Sequence, residues 1–254
     1  MKSFRESIKN NQAEKNSRII WAFDPPLDLK NPLEKGKNIL KVVAPFISAV
    51  KLNRQLILPI GLRSSVFLSF IDMIHSYNLP VIMDAKVNDI GYTNYAIATN
   101  YYSAGFDAII VNPFIGWDEG VDQIFKAAEE MKKEIILLAY MSHKDSSFGY
   151  GREIVDKENK KPFYQVFVES ANSWEAAGVI AGATHIKIVK EIRKLLDKDK
   201  LVLSPGIGPQ GGTYEDARKV GMDFGIVGRG ITMSENPVET VKTFVTLEKK
   251  FLSN

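Results

Sequence analysis

Asp84, Lys86 and Asp89 stand within six residues of one another, in the segment DAKVND. Residues two apart on a β-strand point to the same side, so Asp84 and Lys86 are predicted to lie next to each other. Carboxylates beside an ammonium group keep it protonated and hold it in place, which suits a proton donor or a stabiliser of a developing carbanion. The alternative interpretation is a structural ion pair, with Asp89 capping the next helix.

Two glycine-rich turns indicate a second kind of chemistry. The turns are 205–212, with Pro205, Gly206, Gly208 and Gln210, and 228–230, with Gly228 and Arg229. Glycines leave backbone N–H groups open to a phosphate, and an arginine adds a bidentate charge-assisted contact. We therefore predict a phosphate site at these turns, although glycines that only permit tight turns would give the same pattern.

Short apolar, β-branched runs alternate along the chain with longer stretches of helical spacing, which is typical of βα units in a parallel sheet. Strands are predicted at 18–24, 47–53, 80–86, 108–112, 134–142, 179–184, 200–208 and 223–230. Helices are predicted at 32–45, 64–77, 89–104, 117–132, 162–177, 185–197, 213–220 and 237–251, with a polar helix over 1–16 before the first strand.

Eight βα units in 254 residues without a linker favour an α/β fold with one closed (β/α)₈ TIM barrel over a doubly wound sheet. The predicted domains are an N-terminal helical extension, 1–17, and a catalytic barrel, 18–254. Residues 144–161, rich in Gly, Lys and Glu, are predicted to form a mobile loop after the fifth strand.

Polar residues stand at six of the eight predicted strand ends, and the active sites of such barrels lie at the carboxyl ends of the strands. These positions are Asp24, Lys51 with Asn53, Asp84 with Lys86, Ser142 with His143, and the two glycine-rich turns. Strand ends also carry polar residues simply because they meet water. Agreement among six ends favours a site.

Composition narrows the classes of function. The chain has no cysteine, which excludes a disulfide framework, a thiolate metal site and a cysteine nucleophile. The three histidines, at 75, 143 and 185, lack metal-ligand spacing, so no metal site is predicted. With a net charge of +3, no basic stripe and no long apolar run, the chain is expected to be cytoplasmic and to bind neither nucleic acid nor membrane. Dinucleotide and P-loop motifs are absent from the sequence.

Taken together, these segments resemble the orotidine 5′-monophosphate decarboxylase family over about 19–231. The pattern Asp84-x-Lys86-x-x-Asp89-Ile90-x-x-Thr93 resembles the family's catalytic signature and is the most specific match. The other matching segments are 22–24 and Lys51 at the first two strand ends, 141–143 at the pyrimidine contact, and 204–212 with 227–230 in the phosphate half.

The resemblance implies a carboxy-lyase that converts orotidine 5′-monophosphate to UMP and CO₂ in de novo pyrimidine biosynthesis, with no cofactor or metal, through a lysine-stabilised C6 carbanion. In the site that the resemblance implies, Lys86 is the proton donor and lies between Asp84 and Asp89. Asp24 and Lys51 bind the ribose, while Ser142 and Gln210 contact the pyrimidine and phosphate ends. The residues around the phosphate are Pro205, Gly206, Gly208, Gly228 and Arg229. The resemblance also implies a homodimer in which Asp89, Ile90 and Thr93 cross into the partner's site.

Three positions depart from the family pattern. Gly91-Tyr92 replaces a frequent proline, Asn53 a frequent glycine, and Phe23 a common leucine, so loop geometry is more in question than reaction class.

Two alternatives remain. A magnesium-dependent sugar-phosphate decarboxylase or hexulose-phosphate synthase would share the Asp-x-Lys-x-x-Asp core. The Met-Ser-His segment of this chain, which contains Ser142, and Gln210 argue against these two enzymes. A non-catalytic nucleotide-binding barrel would be expected to lack Lys86 or one of the aspartates.

Overall fold

The computed structural model describes residues 2–156 and 159–252, and in this part of the chain eight parallel strands close into a barrel. The predicted (β/α)₈ fold with an added N-terminal helix is confirmed. The barrel strands are β1 Ile19–Phe23, β2 Ala49–Asn53, β3 Val81–Val87, β4 Ala108–Val111, β5 Glu134–Tyr140, β8 Gly178–Ala181, β9 Leu201–Pro205 and β10 Phe224–Val227. They are hydrogen-bonded in the order β1-β10-β9-β8-β5-β4-β3-β2, closing between β1 and β2.

Helices cover the outside of the barrel. In the described residues they are α1 Phe4–Lys15, α2 Pro32–Val43, α3 Arg54–Ile60, α4 Ser65–Ser76, α5 Gly91–Ser103, α6 Asp122–Met131, α7 Phe163–Ser173, α8 Ile186–Leu195, α9 Tyr214–Lys219, α10 Arg229–Thr232 and α11 Pro237–Leu252. None of them is long and apolar enough to cross a membrane.

Several elements differ from the prediction, and the causes are local for two helix starts and for one helix that was not predicted. The N-terminal helix begins at Phe4, because Ser3 and Glu6 cap it reciprocally, and residue 1 lies outside the described residues. The helix predicted from 117 begins at Asp122, because Glu119 has a left-handed backbone, with φ +54°, in the preceding turn. The short helix α3 was not predicted; the Asn53 side chain caps its start.

The region 144–161 is more regular than the predicted loop. A 3₁₀ turn occupies Lys144–Phe148, and β6, Glu153–Asp156, pairs antiparallel with β7, Asn159–Pro162. The sequence does not predict this hairpin, because its lysines and glutamates are not typical of strands and its pairing is between backbone groups, which every residue type has. Residues 157 and 158 of the predicted loop, like 253 and 254 of the predicted barrel domain, lie outside the described residues.

The alternation of side chains along the strands creates two cores. Outward-facing residues such as Trp21, Val50 and Met83 are fully buried against the helices. Inward-facing residues fill the barrel, among them Ile20, Ala49, Ile82, Ala108, Ile136, Leu203 and Phe224. The next inward positions towards the carboxyl ends are Lys51 on β2 and Asp84 on β3, and Asp24 follows the inward-facing Ala22 just after β1, so the packed interior becomes the floor of a site.

The polar helix α1 is packed against the interior of the barrel. Phe4 and Ile8 belong to the interior core and are 3% and 0% exposed. The buried Asn11 amide donates to the carbonyl oxygens of Ser48 and Asn78, at 3.0 and 2.9 Å. The helix therefore closes the end of the barrel opposite the carboxyl ends of the strands, which explains how so polar a segment forms part of the fold.

We expect Ile8→Ala to lower the free energy of unfolding by about 2–5 kcal/mol, because it leaves a cavity in the interior core. The matched control on the same helix is Glu14→Ala at an exposed position, which should change stability by less than about 0.5 kcal/mol. Urea denaturation followed by circular dichroism measures both. Equal effects of the two substitutions would contradict a packed α1.

Candidate active site

A cavity of about 420 Å³ opens at the carboxyl ends of the barrel strands. Its size is within the range of about 300–1,000 Å³ that is usual for small-molecule sites. Inward-facing apolar side chains form its floor: Ala22, Ile110, Leu138, Ile180 and Ile226. Polar side chains line the rest: Asp24, Lys51, Gln55, Asp84, Lys86, Ser142, His143, Gln210 and Arg229. An apolar floor below converging charged groups suits a ligand with a flat ring and anionic substituents.

Four charged side chains of alternating sign form a chain along one wall. Lys51 Nζ is 3.4 Å from Asp24 Oδ2 and 2.7 Å from Asp84 Oδ2. The other oxygen of Asp84, Oδ1, accepts a hydrogen bond from the Lys86 ammonium, so the predicted contact between Asp84 and Lys86 is confirmed. The side chains meet because each occupies an inward position near the end of β1, β2 or β3, and these strands are neighbours.

Lys51 and Asp84, the two buried side chains of this charged series, are held in their charged forms. Burial alone would lower the pKa of the Lys51 ammonium, but the carboxylates of Asp84 and Asp24 outweigh burial and raise that pKa. Burial likewise would raise the pKa of Asp84, but the ammonium groups of Lys51 and Lys86 bring it down to about 2. Asp84 is therefore a fixed carboxylate that anchors two cations at neutral pH.

Lys86 has an unusual backbone. Its φ is +48°, in the left-handed region that non-glycine residues rarely adopt, and the pairing of β3 with β4 shifts register between Met83 and Val87. Such a conformation costs on the order of 1–3 kcal/mol and persists where the surrounding structure enforces it. Strain of this kind at the residue that carries the ammonium group is typical of a functional position.

Asp24 retains unused hydrogen-bonding capacity. Its Oδ2 contacts Lys51, whereas its Oδ1 is buried without a hydrogen-bond partner among the described residues. An unpaired buried carboxylate oxygen is costly, so the position suits an acceptor for a hydroxyl group of a ligand.

The turns after β5 and β9 form the opposite wall. Met141, Ser142 and His143 line the cavity just after β5. After β9 the lining residues are Pro205, Gly206, Ile207, Pro209 and Gln210. Gly206, with φ +96°, is required here, since a Cβ at this position would lie 3.0 Å from both Ser142 Cβ and Gln210 Oε1.

Arg229 and Gly228 line the cavity at the end of β10. The Arg229 side chain is exposed and has no hydrogen bond or ion pair within residues 2–156 and 159–252. This arginine is therefore available to an anionic group of a ligand.

Four of the predicted site residues do not line this cavity. The N–H of Gly208 donates to the carbonyl of Gly212, at 2.9 Å, within the glycine-rich turn. Asp89, Ile90 and Thr93 lie on the surface at the start of α5, and Ile90 is 67% exposed. Asp89 Oδ1 accepts from the N–H of Ile90, at 2.8 Å. In a single chain these three residues therefore stand apart from the charged wall.

Several lining residues were not predicted. Gln55 is among them, on the helix α3 that the sequence analysis did not assign. The signal for it was Asn53, a residue type that favours the first position before a helix. In the described parts of the chain, no group of three or more His, Asp or Glu side chains is arranged to hold a metal ion.

The chain is similar to known proteins over most of its length. The model of a family described as orotidine 5′-phosphate decarboxylase / HUMPS matches residues 17–244. The orotidine 5′-phosphate decarboxylase of Pyrococcus furiosus is 36% identical over 220 residues, which cover 87% of this chain and 94% of that protein. That of Thermococcus kodakarensis is 37% identical over 226 residues, covering 89% and 94%.

Solved structures give the same result. The orotidine 5′-phosphate decarboxylase of Pyrococcus horikoshii is similar with a TM-score of 0.71 and 34% identity, over 91% of this chain and 99% of that one. The enzyme of Methanocaldococcus jannaschii, complexed with the inhibitor BMP, is similar with a TM-score of 0.76 and 28% identity, over 91% and 98%.

Proposed function

This chain belongs to the orotidine 5′-phosphate decarboxylase / HUMPS family, and from that membership we propose that it removes CO₂ from orotidine 5′-monophosphate to give UMP in pyrimidine biosynthesis. The enzyme is then a carboxy-lyase. The observation that carries the proposal is the chain of alternating charges from Asp24 through Lys51 and Asp84 to Lys86, above an apolar floor.

Decarboxylation requires a positive charge and a proton donor beside C6, and the Lys86 ammonium on this wall can supply both. Breaking the bond between C6 and the carboxylate carbon releases CO₂ and leaves an electron pair on C6, in an orbital of the ring plane that the ring carbonyls cannot absorb well. The Lys86 ammonium stabilises that charge and then transfers a proton to C6. Asp84, anchored by Lys51, holds the Lys86 ammonium in place. No cofactor or metal takes part in this mechanism.

The other lining residues bind the rest of the nucleotide. Asp24, through its unpaired Oδ1, and Lys51 take the ribose hydroxyls. Ser142 and Gln210 address the pyrimidine and phosphate ends. Arg229 binds the phosphate, and the backbone of Pro205, Gly206 and Gly228 surrounds it. Gly208 belongs to the same turn as Pro205 and Gly206. The phosphate is remote from C6, so its binding energy contributes to holding the reacting ring in place.

The proposed active unit is a homodimer in which Asp89, Ile90 and Thr93 complete the site of the partner. Support comes from the exposed apolar surface beside them. Leu58 and Tyr92 are 82% and 81% exposed, and they border a groove between α3 and α5 that Thr93 also lines. A second copy of the chain would cover this surface and bring Asp89 towards a neighbouring cavity.

We expect Arg229→Ala to weaken binding of UMP about 10- to 100-fold and binding of uridine less than about threefold. The reason is that the guanidinium, which has no protein partner in the described structure, would bind the phosphate by charge-assisted hydrogen bonds. Isothermal titration calorimetry with both ligands is the measurement. Arg152→Ala, at an exposed arginine outside the cavity, is the matched control and should leave both affinities unchanged. Equal losses for UMP and uridine would assign Arg229 to the fold.

The direct test of the function is the loss of orotidylate absorbance on incubation with the purified protein after EDTA treatment. We expect turnover without added metal. A requirement for Mg²⁺, with activity on a hexulose phosphate, would favour the sugar-phosphate enzymes that share the Asp-x-Lys-x-x-Asp core. Tight binding of UMP without turnover of orotidylate would indicate a nucleotide-binding barrel.

A further inference from the structure

We propose that Thr184 and His185, in the turn after β8, are positioning residues that hold the backbone of Ser142 and His143 and so fix the Ser142 side chain for the pyrimidine. The inference rests on the proposed function, in which Ser142 contacts the ring. Neither Thr184 nor His185 lines the cavity, so both act through the segment that they hold. We name this pair of residues the β8 clamp.

The first half of the clamp is the Thr184 hydroxyl. It donates to the carbonyl oxygen of Ser142, with 2.8 Å between the oxygens. The bond joins the turn after β8 to the residue that lines the cavity after β5. Because the Ser142 carbonyl follows the last pairing of β5 with β8, at Tyr140, this hydrogen bond extends the connection between the two strands beyond their ladder.

The second half is the His185 ring. Its Nε2 is 3.2 Å from the carbonyl oxygen of His143 and 3.0 Å from Ser146 Oγ. A carbonyl oxygen only accepts, so Nε2 carries the proton in this arrangement. Ser146 is 1% exposed, although residues 143–145 before it are exposed. The histidine therefore attaches an otherwise exposed turn to the barrel at one buried anchor.

The clamped segment lies in a tight space. A Cβ on Gly182 would lie 2.6 Å from Ser142 Cα, and a Cβ on Gly206 would lie 3.0 Å from Ser142 Cβ and 3.2 Å from Thr184 Cγ2. The turns after β5, β8 and β9 thus meet around Ser142, with glycines giving the room. In so close a fit, a small displacement of the Ser142 backbone would redirect its hydroxyl away from the ring.

A double-mutant cycle tests whether Thr184 acts through Ser142. Thr184→Val keeps the shape against Gly206 but removes the donor, and we expect kcat/KM for orotidylate to fall about tenfold. Thr184→Ser keeps the hydroxyl and should stay within about threefold of wild type. In a Ser142→Ala background, Thr184→Val should have almost no further effect, because the side chain that it positions is already missing.

A purely structural role would give a different result. It would lower the thermal midpoint of unfolding, and the losses in kcat/KM from the two substitutions would multiply. The double variant would then have a kcat/KM about tenfold below that of Ser142→Ala alone. That outcome would overturn the clamp. Absence of wild-type turnover of orotidylate would instead overturn the proposed function, and the clamp with it. The wild-type assay therefore distinguishes the two failures.

His185 gives an independent arm of the test. His185→Leu removes Nε2, and we expect kcat/KM to fall about fivefold and hydrogen exchange at the Ser146 amide to become faster. His185→Gln supplies an N–H of similar reach and should restore most of the loss. Lys187→Ala, at an exposed position of α8, is the control and should equal wild type. Equal activity of the Leu and Gln variants would contradict a role for the His143 hydrogen bond.

Discussion

Replacing Lys86 with alanine is expected to leave a folded barrel that decarboxylates orotidylate about 10²–10⁴-fold more slowly, the cost of losing a general acid. The substitution removes both the counter-charge of the C6 carbanion and its proton source. Folding should persist, because Asp84 keeps its 2.7 Å contact with Lys51 and the Lys86 side chain is partly exposed. Single-turnover assays of orotidylate, together with circular dichroism, measure the two properties separately.

The matched control is Lys133→Ala, which removes another lysine paired with an aspartate. Lys133 Nζ is 2.8 Å from Asp107 Oδ1, outside the cavity, and its side chain is 15% exposed. This control should lower stability and leave turnover unchanged. Turnover of Lys86→Ala within about tenfold of wild type would exclude Lys86 as the proton donor.

The second large effect is a recovery of activity on mixing two inactive variants. Homodimers of Lys86→Ala and of Asp89→Ala should each have two defective sites. If Asp89 completes the partner's site, a mixed dimer combines both substitutions in one site and leaves the other wholly wild type. Random exchange of equal amounts makes half of the dimers mixed, each with one good site, so activity should return to roughly a quarter of wild type.

A parallel mixture of Lys86→Ala with Asp84→Ala is the control. Lys86 and Asp84 contact each other within one chain, so every site in that mixture keeps one substitution and no activity should return. If the Asp89 mixture also stays inactive, with subunit exchange verified by mass spectrometry, Asp89 serves its own chain. The shared site would then be wrong, while the decarboxylase proposal would stand.

The sequence by itself determined the barrel and the end at which its cavity opens. Short apolar, β-branched runs and the helical stretches between them are properties of consecutive residues, so they can be read without knowledge of distant contacts. The two-residue spacing predicted that Asp84 and Lys86 lie side by side, and Asp24 and Lys51 were predicted at the ends of the first two strands; all four line the cavity. Their meeting follows once these strands are neighbours.

The tertiary structure alone decided how these residues are held. The left-handed backbone of Lys86 accompanies a register shift between β3 and β4, and Gln55 lines the cavity only once the barrel has closed. The turn that closes Gly208 onto Gly212 is local, but it is held by a hydrogen bond between backbone groups, which the residue types do not reveal. The hairpin of β6 and β7 was hidden for a related reason, since its pairing uses backbone groups that any composition supplies. Periodicity records which face a residue occupies, whereas closure of the barrel sets the distances and backbone angles with which side chains on different strands meet.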